Sequence, residues 1–431
     1  MNAAQEAYNM SVVEEAVVAP ERQPLEPFSP LSPEYRANPY AVYRTYRTHD
    51  PVHWGTSPQP GIPGCWYLFR YADTAAACKD DRLGLEFYRV LPPEELPQIP
   101  PQFMPFFMMI GQWMVFRDPP AHARLRHLIN KAFTPAKIEK LRRFVEKVAD
   151  ELLSPVQNGG NMDVMSQLAS PLPLIVVGKL LGMPTDDRET LNEWSAAFRR
   201  ALDFIHSQED RAAIYERATK ATLEFNAFLR DLIAERREHP QDDLLSLLIT
   251  AEGDERLSED ELIATCMVLL WAGKVTPTNL IGNGVYALLT HPEQLQKLRA
   301  HPELIDTAID EIIRYDSPAQ LSFRFALEDI QIGDKLIRKG EQVALLFGAA
   351  NRDPEQFIDP DEFDITRTDN HHLGFGEGIH TCVGRALGRI EGKIAITQLL
   401  QRMPQITLET EGVRWDRATG IRGLASLPVS F

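Results

Sequence analysis

Residues 372–388 read HLGFGEGIHTCVGRALG. Glycines crowd ahead of a solitary cysteine, Cys382, and Gly384 and Gly388 follow it. The apolar-periodic segment VGRALGRIEGKIAITQLL begins at once, so the sulfur stands at a helix N-terminus. The helix dipole there favours a thiolate. Gly376 and Gly378 let backbone come close to something flat, and Gly384 and Gly388 keep bulk out of the first turns. A nucleophilic cysteine needs a histidine base; His380, two residues away, is awkwardly separated for such a pair. A metal that needs one soft protein ligand fits better, with a planar macrocycle supplying the other four.

The whole chain agrees with a single reactive thiol. It has 431 residues and four cysteines, Cys65, Cys78, Cys266 and Cys382, none in a C-x-x-C pair. That excludes a zinc knuckle and a disulfide framework, and it fits a reducing compartment. The net charge of -16 argues against nonspecific nucleic-acid binding. The N-terminus carries acids and no long apolar run, and MVLLWAG (267–273) is too short to span a bilayer. The expectation is a cytoplasmic protein with a flexible tail over 1–25 and a single domain over 26–431.

Strands are expected at 65–71, 321–326 and 342–347, with further pieces near the C-terminus. Helical patterns dominate from Asp118 to about residue 315, with Asp118 as N-cap and Pro119 in the first turn of one helix. Residues 83–113, rich in Pro, Phe and Met, have no clean period. They form either a buried irregular connection or an apolar loop lining a ligand cavity.

RLSEDELIATC places Ser258 and Glu261 as a capping box. The helical pattern then runs to about Leu289, roughly 45 Å at ~1.5 Å per residue. Its apolar character on nearly every side sends it through the middle of the protein. Pro277 interrupts it and leaves the Gly273 carbonyl without its donor, at a cost of about 3 kcal/mol in an ordinary helix interior. Either this is a packing kink, or Gly273 and the Thr276 hydroxyl form a polar notch where a small ligand or water sits. Glu311 and Arg314 share a helix face, as do His122 and Arg126. Arg324 lies in an apolar strand and calls for a partner.

Taken together these stretches resemble the cytochrome P-450 family of haem-thiolate enzymes. F-G-x-G-x-H-x-C-x-G, from Phe375 to Gly384, resembles its haem-binding loop; EIIRYDSP its E-x-x-R helix; AGKVTPTN its oxygen-activating helix; and DPPAHARLRHLINKAF the helix whose His and Arg bind a propionate. The resemblance covers roughly residues 27 to 431. It implies a mainly α fold with small β-sheets (α+β), haem b lying between the long central helix and the cysteine loop. By position Cys382 is the axial ligand, Phe375, Gly376 and Gly384 shape the loop, and His122, Arg126, Arg324 and His380 neutralise the propionates. Glu311 and Arg314 become a buried network. Its third member is displaced: Glu362 stands where many relatives have arginine, and Arg367 is the stand-in.

The resemblance also exposes a departure. Val275 occupies the position of the usual proton-relaying acid, and Pro277 replaces the second threonine, while Thr276 and Gly273 remain as the catalytic pair. Either ordered water or a substrate hydroxyl near Gly273 carries protons, or the enzyme couples poorly to O2 and accepts peroxide. Lys274 is expected to turn away from the haem centre. Phe87, Phe106, Leu269, Val275, Leu321 and Leu424 fall where the family lines its pocket, which implies an apolar substrate such as a polyketide, macrolide or terpenoid. Arg199 and Arg200 are expected in solvent. The chain carries no flavin or nicotinamide module, so electrons for a monooxygenase come from a ferredoxin and its reductase. The stripe Arg385, Arg389, Lys393, beside Arg124 and Lys131, is either a docking patch or a routine charged face. A monomer is expected, with no nucleic-acid or membrane partner. The alternatives are a peroxygenase, a rearranging or dehydrating catalyst, and, least favoured, a haem sensor without turnover.

Overall fold

The computed structural model describes residues 25–59, 61–96, 98–131, 133–156, 160–184, 187–203, 208–251, 256–416 and 418–431. All but the last residue of the expected tail lies outside them. Helices dominate. The longest, Glu259–Thr290, has 32 residues and opens on the expected capping box: the Ser258 hydroxyl accepts from the Glu261 N–H, and the Glu261 carboxylate accepts from the Ser258 N–H.

This central helix belongs to two apolar cores. Its first half, Leu262 to Leu270, packs with Phe106, Trp113, Leu191, Trp194, Phe198 and Phe225. Its last part, with Leu280, Ile281 and Val285, packs with Ile309, Ile312, Ile394 and Ile396. Residues Ala272 to Asn279 belong to neither core. The helix is therefore apolar all round, as its sequence requires, but its partners change at the segment that holds Pro277.

The helix runs through Pro277 without interruption. Gly273 answers to packing: a Cβ there would lie 2.8 Å from Val177 Cγ2 on the helix Pro171–Leu181. The Thr276 hydroxyl donates to the Ala272 carbonyl at 3.0 Å, not to Gly273. Gly273 is thus a point where these two helices come close.

A five-stranded sheet runs in the order Val52–Gly55, Cys65–Leu68, Gln342–Leu345, Ser322–Ala326, Leu83–Gly84. The second and third strands pair in parallel, and the other neighbours are antiparallel. Arg324 is opposite Val343. The C-terminal strands Leu424–Ser426 and Pro428–Ser430 pair with Arg414–Trp415 and with Asn161–Asp163 and Thr407–Leu408 respectively. Beyond Leu83–Gly84 the 83–113 stretch is made, among the described residues, of short 3-10 turns and one α-helix, Met104–Ile110, whose Phe106 enters the first core.

One expectation fails. Asp118 does not cap the next helix, which starts at Ala121 (Ala121–Asn130). Its carboxylate accepts instead from the backbone N–H groups of Leu85 and Glu86. Those donors lie in buried chain and have no ladder partner there, so the carboxylate is worth more to them than to a helix end.

Glu311 and Arg314, on the helix Ile305–Tyr315, are fully buried. Arg314 forks onto both Glu311 oxygens at 2.7 and 2.8 Å, and donates to the carbonyls of Asn351, Pro360 and Glu362. Glu311 also accepts from Arg367 Nε, Asn370 Nδ2 and the Asp364 N–H. Arg367 is thus the third member, and Glu362 contributes only its backbone. Glu311→Gln leaves a buried guanidinium without its counter-charge. It should lower stability by about 3–5 kcal/mol, read as a fall in the denaturant midpoint. Arg367→Ala, at the edge of the network, should cost about 2 kcal/mol.

Candidate functional site

The segment Phe375–Gly384 folds back on itself. The Cys382 N–H donates to the Phe375 carbonyl at 2.8 Å, and the Gly376 N–H to Leu373 at 2.8 Å. Gly376 and Gly378 have φ of 65° and 70°, which glycine adopts without strain. Gly378 has a second reason to be glycine: a Cβ would lie 2.4 Å from the Cys78 carbonyl oxygen. A Cβ at Gly384 would meet only the Cys382 sulfur, at 3.9 Å, and one at Gly388 would meet open space.

Cys382 is exposed, whereas Cys65, Cys78 and Cys266 are buried. It precedes the helix Arg385–Arg402, whose N-cap is Gly384. Desolvation by the surrounding protein pushes its thiol up from the ordinary value. The Gly384 N–H, the Arg126 charge, and the N–H and charge of Arg385 pull the other way without prevailing. The helix end alone therefore does not lower this thiol.

Basic side chains converge on this loop. Arg126 donates to the Thr381 carbonyl. The rings of His122 and His380 lie 4.2 Å apart, centroid to centroid. Arg324 is buried, and its hydrogen bonds among the described residues go to Ser322 Oγ at 2.8 Å and the Phe323 carbonyl at 2.7 Å. His122 Nε2 is buried with no partner among the described residues. Desolvation, then Arg324, His122 and Arg126, pull His380 down to about 3. Desolvation, then Arg126, lowers His122, and Arg324 adds to the effect. Asp118 acts on His122 and Arg324, but its carboxylate is committed to the Leu85 and Glu86 N–H groups. Among the described residues, four cationic or potentially cationic groups thus meet near one acid, Asp118, that is already engaged.

The expected pocket residues separate. Phe106 and Leu269 share the first core. Leu424 belongs to the second core, and Leu321 to a third with Phe28, Tyr43 and Phe69. Phe87 meets the Phe325 ring at 5.8 Å. Val275 is buried and belongs to no core cluster.

Other charges depart from expectation. Arg199 is not in open solvent; it pairs with Asp416 at 2.7 Å. Arg389 pairs with Asp310, Lys393 with Asp306, and Arg124 with Glu261. Arg385 lies over the Phe375 ring, 5.6 Å from its centroid. The basic stripe is therefore largely neutralised. Two groups escaped sequence reading. Asn192, on the helix Arg188–Leu202, accepts from Lys274 Nζ. Glu391 is fully buried, with one carboxylate oxygen unpartnered, and desolvation pushes it well above the usual carboxylate range. Lys274, alone in an apolar run, is the only sequence signal for the first; Glu391, between Arg389 and Lys393, has the pattern of an ordinary charged helix face.

The family model for cytochrome P450 matches residues 100–414. The biotin biosynthesis cytochrome P450 of Bacillus subtilis is 42% identical over 403 residues, 94% of this chain and 98% of that protein. The 6-deoxyerythronolide B hydroxylase of Saccharopolyspora erythraea is 38% identical over 372 residues, 84% of this chain and 89% of that one. Among solved structures, P450BioI in complex with an acyl carrier protein ligated to hexadec-9Z-enoic acid superposes with a TM-score of 0.85 at 41% identity, covering 93% of this chain and 100% of that one. This chain belongs to the cytochrome P450 family.

It is accordingly a haem-dependent monooxygenase with the P450 fold, and its cofactor is haem b. The residues present fit such a group. An accessible cysteine stands beside basic groups that lack an acid, one of which, His122, has a buried nitrogen needing a partner. Among the described residues no three His, Cys, Asp or Glu side chains gather into a metal cage. No helix among them is long and apolar enough to cross a membrane.

Lys274 carries a measurable consequence. Desolvation, then Arg199, lowers its ammonium to about 8. An unfolded lysine titrates near 10.4, so the native state binds fewer protons than the unfolded state between about 8 and 10. The penalty of burying the charge is full below pH 8 and fades as pH rises through that window. Lys274→Met should therefore raise the melting temperature at pH 7 by about 3 °C. The gain should shrink towards zero near pH 10, as scanning calorimetry of mutant and wild type would show.

Proposed function

We propose that this P450 inserts one oxygen atom of O2 into an apolar organic substrate, with Cys382 as the axial ligand of the haem iron. The observation that carries this reading is the lone accessible cysteine beside a cationic group with no acid of its own. His122, Arg126, Arg324 and His380 would hold the two propionates by charge-assisted hydrogen bonds. His122 Nε2 would gain the partner its burial demands. Phe375, Gly376 and Gly384 would give the ring a close, unobstructed bed. Once bound, haem supplies the oxygen chemistry, using electrons from outside the chain.

The test is optical. Haem-loaded protein, reduced and exposed to carbon monoxide, should give the red-shifted Soret band of thiolate ligation. Cys382→Ser should lose that band, while His122→Ala should retain it at reduced haem occupancy. An imidazole-type spectrum from folded wild-type protein would overturn the assignment.

Phe106, Leu269 and Val275 would form the nearest apolar walls, with Phe87, Leu321 and Leu424 further out. The relatives named for biotin biosynthesis and for 6-deoxyerythronolide B hydroxylation, and the neighbour holding a carrier-borne fatty acyl chain, support a polyketide-like or acyl substrate. A ferredoxin with its reductase would deliver electrons on the cysteine side. Arg385 is the member of the basic stripe left to meet it, because Arg389 and Lys393 are engaged by Asp310 and Asp306.

Val275 supports a second reading, peroxide-driven or non-monooxygenase chemistry. Valine cannot move a proton, and the Thr276 hydroxyl gives its own proton to Ala272. Thr276 would have to release that bond, or accept from water, to take part in proton transfer; Gly273 keeps the backbone beside it close. Val275→Glu should raise product formed per electron pair several-fold and cut peroxide release in a reductase-driven assay. If wild type already couples tightly and the acid changes nothing, proton supply does not depend on position 275.

A further inference from the structure

From Leu262 to Thr290 the central helix has one charged residue, Lys274. It is 8% exposed and its one polar partner is Asn192 Oδ1; no carboxylate reaches it among the described residues. Lysine heads near a surface ordinarily snorkel into water. This one stops at a neutral amide, with two of its three N–H donors unspent.

Its surroundings deepen the imbalance. Asn192, Ser195 and Arg199 recur at i, i+3 and i+7, so they share one side of the helix Arg188–Leu202. Ser195 is fully buried and its hydroxyl has no partner among the described residues. Arg199 is near enough for its charge to act on Lys274, and its own carboxylate is Asp416, beside the C-terminal strands. Three elements therefore meet around two cations, one acid and an idle hydroxyl. A buried ammonium left so is costly unless something else completes it. Asn192 is exposed, so the place is open to an incoming group. It also adjoins Val275, in the stretch of central helix that neither apolar core claims.

We propose that Lys274 is a specificity-determining residue that receives the carboxylate of an otherwise apolar substrate, with Asn192 and Ser195 completing its hydrogen bonds. This rests on the apolar-substrate reading above and narrows it to acids. An anion fixed beside Val275 would limit how a flexible chain slides in the pocket, which an all-apolar cavity cannot do.

The test uses haem-loaded enzyme titrated with a long-chain saturated fatty acid and with its methyl ester, followed by the ferric absorption shift and by calorimetry. Wild type should bind the acid about tenfold more tightly than the ester. Lys274→Met should remove that difference by weakening the acid alone, and Lys274→Arg should keep most of it; the carbon monoxide band checks that each variant is intact. Equal binding of acid and ester by wild type, a comparison that needs no variant, overturns the anchor and leaves the apolar pocket standing. So does an equal loss of both ligands in Lys274→Met. Failure of wild type to bind either ligand, with the thiolate band present, overturns both readings.

Discussion

The Glu311 carboxylate is the point on which the haem side of this molecule depends. It is fully buried and takes bonds from Arg314 twice, from Arg367, from Asn370 and from the Asp364 backbone. Arg314 spends its remaining donors on carbonyls of Asn351, Pro360 and Glu362. Most of these partners lie in the irregular chain between the sheet and the cysteine loop. Irregular chain has no ladder to hold it, so its backbone groups need partners elsewhere. One ion pair, satisfied on every side, supplies them. Asn351 then relays the restraint, because its side chain accepts from the Leu373 N–H just ahead of Phe375.

What is held in place is an electrostatic vacancy of one sign. Desolvation is the first cause that lowers Arg126, Arg324, His122 and His380; Arg324 and His122 are buried and the other two half-buried. Elsewhere the chain neutralises its cations readily: Arg389, Lys393 and Arg124 each have an acid. The same chain, with 61 acidic residues against 45 basic ones, puts none within the cluster near Cys382 except Asp118, which is already engaged. A protein with acids to spare leaves cations unpaired where a ligand brings the acid. That is the electrostatic counterpart of the single soft ligand, and the two together describe a flat, anionic metallocycle.

Much of this was legible in the residues because local chemistry enforced it. The capping box at Ser258, the apolar run after it and the glycine-bounded loop before Cys382 each depend on neighbours in sequence, and each forms as read. Arg367 could be named as the network's third member because few cations lie close enough along the chain. What was not legible depended on partners far away. Asp118 looks like a helix cap until Leu85 and Glu86 are brought to it. Gly273 looks like a hinge beside a proline, and only Val177 on another helix shows that it is a contact. The solvated reading of Arg199 gave way to Asp416, 217 residues on. Pocket walls depend on the same distant packing: Leu424 lies in one core and Leu321 in another, which no local pattern states.

The central helix shows why the polar exceptions deserve weight. Its two ends are clamped in separate apolar cores, and between them Trp271 Nε1 and Thr278 Oγ1 are buried without partners. Ser195 Oγ, on the helix that packs against it, and His122 Nε2, by the cysteine loop, share that condition. Each unmet donor or acceptor costs about 1–3 kcal/mol, and a helix shaped only for stability would carry apolar residues at 274 and 278. Packing explains Gly273 and the Trp271 ring, 5.4 Å from that of Trp113, but not Lys274 or Thr278. Over the eight residues 272–279 the helix keeps a buried charge, Lys274, and a buried hydroxyl, Thr278 Oγ1, that finds no partner among the described residues. Polar groups thus stand where a buried helix would otherwise be apolar, in the stretch that the proposed site uses.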